Sequence, residues 1–191
     1  AALYGRTDIA LSETGRAELL QALKAIHQHT AISELIASPL QRCALAAEHF
    51  AQQHQIPFAL EPRIQEINFG EWDGIAFDEL GSEWDNLARF WQAPATFQPP
   101  RGERLQDFAA RVIAAWQDLL RQPNAQHQVI VCHGGVIRII IAHILKLDFC
   151  NPSLFQQLHI DYSSHTRIEI ANHAQAVPVI KYIGMSSTTP R

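Results

Sequence analysis

Hydrophobic positions recur along this chain at two periods, and the switches between them outline its elements. The runs Glu34-Leu35-Ile36-Ala37, Ile56-Pro57-Phe58-Ala59-Leu60 and Gln128-Val129-Ile130-Val131 read as short strands, the last of them, apolar and mostly β-branched, as a buried one. Pro57 suits a strand start or a sheet edge. Between these runs the period lengthens to that of a helix. Ser12 is placed as the N-cap of a helix from Glu13 to about Gln28, with Ala17, Leu20, Leu23 and Lys24 marking its amphipathic spacing. Ser38-Pro39 reads as N-cap and first position of a helix through about Gln53. Leu105, Phe108, Ala109, Val112, Trp116, Leu119 and Leu120 give the cleanest helical pattern, and Val136 to Leu147 gives the most apolar one. An aromatic-rich stretch, Phe77 to Trp91, puts Trp84, Leu87, Ala88 and Trp91 on one helical face and ends at Pro94. It suits a lid or wall over a site, or a plain packing helix. Thr166 to Ile170 alternates as a half-buried strand, paired with Val177 to Tyr182 across a turn near Asn172 and His173.

Strand and helix alternate in an order that predicts an α/β fold, a three-layer sandwich with a mostly parallel central sheet and helices on both faces. Residues 1–185 read as one domain, with a helical insertion over about 75–104 and a disordered tail at 186–191. A composition 47% hydrophobic and 18% charged is that of a globular chain. The net charge of -4 and the unclustered 15 Lys and Arg argue against nucleic acid as a partner, so basic groups used on an anion must be few and focused. Cys43, Cys132 and Cys150 have no metal-ligand spacing and read as reduced thiols of a cytoplasmic protein. Arg138, His143 and Lys146 interrupt the longest apolar run, which is too short for a bilayer, so no membrane association is expected. The first residues, Ala1-Ala2-Leu3-Tyr4-Gly5, are loop-like and lack an initiator Met, and an earlier start of the natural protein is expected.

Three positions carry candidate chemistry. His133 sits before Gly134-Gly135 at a strand-to-helix corner, where ligands of open α/β sheets bind and free helical N–H groups favour an anion. Taken alone it is equally well a hydrogen-bonded turn residue. Arg42 lies in the first turn after a second such corner and can return to the same sheet edge, although an arginine on a helix is commonplace. Glu66 lies in a loop with Phe69 and Trp72, and apolar neighbours raise a carboxyl pKa toward that of a proton donor, although a solvated carboxylate is the plainer reading. Two basic groups and one acid suit a phosphate ester. The bases neutralise its oxygens and the acid protonates the leaving group. A nucleophile is the missing part.

The segments Gly5-Arg6-Thr7-Asp8 with Leu11-Ser12-Glu13-Thr14-Gly15-Arg16, Ser38-Pro39-Leu40-Gln41-Arg42, Glu66 through Gly74 and His133-Gly134-Gly135, in this order, resemble the histidine phosphatase superfamily, which contains the cofactor-dependent phosphoglycerate mutases. The resemblance covers the chain to about Gly184. It implies a phosphomonoesterase working through a phosphohistidine, without metal or organic cofactor, on a small phosphorylated substrate, as a monomer or homodimer. By the same resemblance Arg42 and His133 clamp the phosphoryl group, Glu66 is the general acid, and Gly5, Arg6, Arg42, His133 and Gly134 bind substrate. Phe69 to Gly74, Phe90 to Pro94 and Val136 to Ile140 are most similar to α-ribazole-5′-phosphate phosphatases of cobalamin biosynthesis. Trp72, Phe77, Trp84 and Trp91 are expected to offer flat surface to an aromatic nucleoside. A broad-specificity sugar or nucleotide phosphatase, a phosphoglycerate mutase-like enzyme and an inactive phosphate-binding member are the alternatives. The chain departs from the family twice. Pro100-Arg101-Gly102-Glu103-Arg104 stands where the family has Pro-x-Gly-Glu-Ser, so no role attaches to the last position. The Arg-His-Gly motif carrying the phosphorylated histidine is absent, and none of the ten histidines replaces it. The nucleophile and a central strand are therefore expected on polypeptide preceding Ala1.

Overall fold

The structure is a computed structural model, and it describes residues 3–79, 81–121, 126–171 and 176–186. Strands β1 (Glu34–Ala37), β2 (Phe58–Leu60) and β3 (Gln128–Val131) form a parallel sheet in the order β2-β1-β3. Leu35 lies opposite Phe58 and Val129, and Ala37 opposite Leu60 and Val131. The period of two along β1 sorts the layers. Leu35 and Ala37 face a core with Leu23 of α1 (Glu13–His29) and with Cys43, Ala47 and Phe50 of α2 (Gln41–His54). Ile36 faces the opposite core, whose other members include Phe108 and Val112, and Ile139, from two helices of the second half of the chain. Those helices are α4 (Leu105–Leu120) and α5 (Gly134–Leu145), so helices cover both faces of the sheet. The short helix α6 (Ser153–Gln156) packs on α5. Strands β4 (Ser164–Glu169) and β5 (Val179–Ser186) pair antiparallel with each other and, among the described residues, with no other strand.

Several boundaries differ from those the sequence suggests. The second helix begins at Gln41, with Leu40 rather than Ser38 at its cap position. The N–H of Gln41 finds its acceptor far away in sequence, in Asp8 Oδ1 at 2.7 Å. The aromatic stretch is broken into one-turn 3-10 segments, Phe77–Glu79 and Gly81–Glu83, before α3 (Trp84–Gln92). Its buried positions are Leu87 and Phe90, which meet Phe69 and Trp72 in the core, while Trp84 at the start of the helix is 49% exposed. The second strand is shorter than read, β4 begins two residues and ends one residue earlier, and β5 begins two residues later and ends four later. Asn172, His173 and 187–191 lie outside the described residues.

Candidate active site

The parallel register of β1 and β3 brings the residues just past both strand ends side by side, at the edge where the following helices begin. Ser38 follows β1 and is fully buried. His133 follows β3, serves as N-cap of α5 and is 7% exposed. Their side chains meet, with an imidazole nitrogen, Nε2, 2.8 Å from Ser38 Oγ. Cys43 Sγ lies 3.9 and 3.8 Å from the two ring nitrogens. Burial, with the charges of Arg42 and Arg111 acting in the same sense, pushes His133 down to about 3. His133 is therefore neutral here at pH 7, rather than the cation expected of a phosphoryl clamp. A bound dianion would oppose that shift. Burial pushes the Cys43 thiol up to about 12, which leaves it protonated and a poor nucleophile.

Glu66 reaches the same corner from the loop after β2. Its Oε1 accepts from the N–H of Ile67 and its Oε2 from that of Gly135, each at 3.0 Å. A Cβ at position 135 would collide with Oε1, so this approach of carboxyl to helix requires glycine. Burial raises the Glu66 pKa, while the two N–H donors and the charges of Arg42 and Arg138 hold it back. A carboxyl tuned upward in this way, beside the N-terminus of a helix, is suited to giving up a proton during turnover.

The backbone of this loop is held from α4. Arg111 donates through Nη1 to the carbonyls of Arg63 and Gln65, both at 2.7 Å, and through Nη2 to that of Glu66 at 3.0 Å. It also makes a two-pronged pair with Glu103, at 2.6 and 2.8 Å. Glu103 Oε2 in turn accepts from the N–H of Asn68.

Arg42 is near enough to act electrostatically on His133 and Glu66, but its guanidinium is turned to the carbonyls of Gly5 at 2.5 Å, Thr7 at 2.9 Å and Tyr4 at 3.4 Å. That loop is fixed by Asp73. Its Oδ1 accepts from the N–H of Gly5 (3.0 Å) and Thr7 (3.1 Å), and its Oδ2 from that of Arg6 (2.6 Å). Gly5 is buried and Arg6 exposed. Neither lines the cavity, whereas Arg42, Glu66, His133 and Gly134 do.

The cavity, of about 1910 Å³, runs from this corner along a cleft with β3 on one wall and β4 on another. Phe69, Phe90, Trp91 and Phe155 contribute aromatic lining. Of the aromatic residues expected to meet a nucleoside, Trp91 does line it. Trp72 is buried, with its indole N–H on Glu83 at 3.2 Å, and Trp84 lies outside the lining. The Phe77 side chain lies outside the described part of the structure. Among the described residues no group of three His, Cys, Asp or Glu side chains is placed to hold a metal ion, and no helix is long and apolar enough to cross a membrane.

A family model, the histidine phosphatase superfamily (branch 1), matches residues 1–181. The chain belongs to that superfamily. A 2,3-bisphosphoglycerate-dependent phosphoglycerate mutase of Bartonella henselae is 32% identical over 155 residues, 75% of this chain and 73% of its own length. The solved structure of Bacillus stearothermophilus YhfR superposes with a TM-score of 0.84 at 26% identity, covering 97% of this chain and 89% of its own. The α-ribazole phosphatase of Shigella flexneri shares the fold, with a TM-score of 0.82 at 21% identity over 100% of this chain and 92% of its own. The chain spans about half the length of the mycobacterial proteins it matches at 25% identity. Members of the superfamily are phosphatases and mutases.

The sequence points to His133, Glu66, Arg42 and Gly134, which line the cavity, and to Gly5 and Arg6, which do not. It does not single out Ser38, Asp73 or Arg111. Ser38 has the pattern of an ordinary helix cap, Asp73 stands in a loop of many carboxylates, and Arg111 lies on the polar side of an amphipathic helix. Ser38 and Asp73 lie within segments that carry the resemblance but with no role attached to either, and no local signal separates Arg111 from a surface residue.

Proposed function

We propose that this protein is a phosphomonoesterase of the histidine phosphatase type, with α-ribazole 5′-phosphate as its substrate. The observation that carries the reading is the convergence of Glu66 on the N-terminus of α5, 3.0 Å from the Gly135 N–H and next to the N-cap His133. In this scheme a histidine attacks phosphorus, the ester oxygen leaves with the proton of Glu66, and the phosphoryl group is carried on the histidine nitrogen. Water then attacks that phosphoryl group and gives a proton to the Glu66 carboxylate, releasing phosphate and free histidine. His133 and Arg42 stabilise charge on the transferring oxygens. Trp91, half-buried in the cavity wall over the core residues Phe69 and Phe90, supplies apolar surface for an aromatic base.

The attacking histidine is proposed to lie outside these 191 residues, on a strand entering the cleft between β3 and β4. Two observations support this. Among the described residues β3 pairs only with β1, and β4 only with β5, although both line the same cleft. His165 of β4 also lines it, and its Nδ1 is buried without a hydrogen-bond partner. The tests use the natural open reading frame. An Arg-His-Gly a few codons before Ala1, and phosphatase turnover gained by adding roughly ten to fifteen residues, about one strand and a turn, support the proposal. Full activity of the 191-residue chain would place the nucleophile among its visible histidines and refute it. Comparable turnover of α-ribazole 5′-phosphate and simple sugar phosphates would refute the substrate and favour a broad-specificity enzyme.

A further inference from the structure

Arg138 is a half-buried cation in the wall of the candidate site whose charge no described protein group neutralises by direct pairing. It lies one turn beyond Gly134 on α5, so its side chain runs back toward the N-terminus of that helix. A Cβ on Gly134 would lie 2.8 Å from Arg138 Nη1, which places the guanidinium directly over the glycine that follows His133. Two prongs of the fork, Nε at 3.0 Å and Nη2 at 2.7 Å, donate to the carbonyl of Leu158 and fix its plane. Nη1 has no hydrogen-bond partner among the described residues, and no described carboxylate lies within ion-pair distance of the group. Glu66 is the acidic group that acts on it electrostatically, and burial outweighs that effect to lower the Arg138 pKa. Leaving a guanidinium partly desolvated and unpaired is costly, and the cost is recovered when an oxyanion arrives. Arg138, Gly134, His133 and Glu66 line one cavity.

We propose that Arg138 is a substrate-contacting residue, donating from Nη1 to an oxyanion oxygen of the bound ester at the Gly134 side of the site. The Leu158 carbonyl acts as its hinge. It holds the fork so that Nη1 faces the ligand without reorganisation, which is what a planar guanidinium does better than a lysine. Gly134 is part of the same device, because any side chain there would displace the guanidinium. The oxygen belongs either to the transferring phosphoryl group or to a second acid group on the leaving-group side. This inference rests on the phosphatase reading only for the name of the site. The contact itself is a binding event and is tested without turnover.

The experiment is calorimetric titration of the full-length protein, and of its Arg138→Gln and Arg138→Lys variants, with inorganic phosphate and with 3-phosphoglycerate, which carries a carboxylate besides its phosphate. Thermal unfolding of each variant controls for folding. A loss of roughly tenfold or more in affinity for both ligands, as expected for one charged hydrogen bond, assigns Nη1 to the phosphoryl group. A loss of that size for 3-phosphoglycerate alone assigns it to the second acid group. The Lys variant keeps the charge but not the fork, and should recover only part of the affinity. Unchanged affinity for both ligands in Arg138→Gln, or absence of binding to the folded wild-type protein, overturns the proposal. Binding that depends on Arg138 without turnover of any ester would leave it standing and refute the phosphatase reading instead.

Discussion

Asp73 offers the sharpest test of how the site is held together, because one carboxylate fixes the loop that in turn fixes Arg42. Replacing it by alanine removes the acceptor for four backbone N–H groups, at 3.0 Å from Gly5, 2.6 Å from Arg6, 3.1 Å from Thr7 and, in the longest bond, 3.4 Å from Phe69. Hydrogen bonds to a charged acceptor contribute roughly 1.5–3 kcal/mol each where water cannot replace them. Arg6 is exposed, so water takes over its bond at little cost, whereas Gly5 is buried and keeps an unsatisfied donor. Counting the Gly5 bond in full and the Thr7 bond in part gives about 2–4 kcal/mol. For a chain of this length that is a fall in Tm of roughly 5–15 °C. The two oxygens are not equivalent. Oδ1 serves Gly5 and Thr7, while Oδ2 serves Arg6 and, at 3.4 Å, Phe69. An asparagine with its oxygen in the Oδ1 place keeps the two bonds that count, so Asp73→Asn should lose about half as much as Asp73→Ala. Thermal unfolding by circular dichroism reads both, and limited proteolysis at the loop reads its release. A Tm change below about 2 °C for the alanine variant, or equal losses for the two variants, would show that the loop is held by something else.

Three further outcomes are expected. Glu66 has a raised carboxyl pKa in the folded protein, so its contribution to stability is present below its ordinary value near 4.5 and is lost as pH rises through the raised one; Glu66→Gln should remove that component from the Tm-against-pH curve, and an unchanged curve would mean the carboxyl is not desolvated. His133 works in the opposite sense, its folded pKa of about 3 making it a source of stability that is lost as pH falls from about 6.5, and Ser38→Ala, which strips the ring nitrogen of its 2.8 Å partner, should lower stability by about 1–3 kcal/mol and change the imidazole nitrogen signals in NMR. Arg111→Met should cost about 3–5 kcal/mol by leaving Glu103 partly buried without its cation, and in the double variant with Glu103→Gln the loss should be well below the sum; additive losses would deny the coupling.

Local pattern alone encodes the elements of this protein and part of its chemistry. Strand β1 is legible to the residue, because four consecutive positions bounded by polar ones leave no other register, and α4 because its apolar stripe spans four turns without a break. His133, Glu66 and Arg42 stand out through short motifs whose spacing is tied to strand ends. Everything that depends on a partner distant along the chain is fixed only when the layers pack. Ser38 has the local look of a helix cap, yet beyond a long 3.4 Å bond from the Leu40 N–H the parallel register of β1 and β3 turns its hydroxyl to an imidazole 95 residues away, and the first N–H of the helix, that of Gln41, takes Asp8 as its acceptor. Trp72 and Trp84 belong to one aromatic-rich region, but whether an indole is buried or exposed depends on what packs over it. The same holds for charge. Arg42, Arg111 and Arg138 are one residue type with one intrinsic pKa, and only the fold gives the first a ring of loop carbonyls, the second a carboxylate, and the third a single carbonyl with one prong of its fork left facing the site.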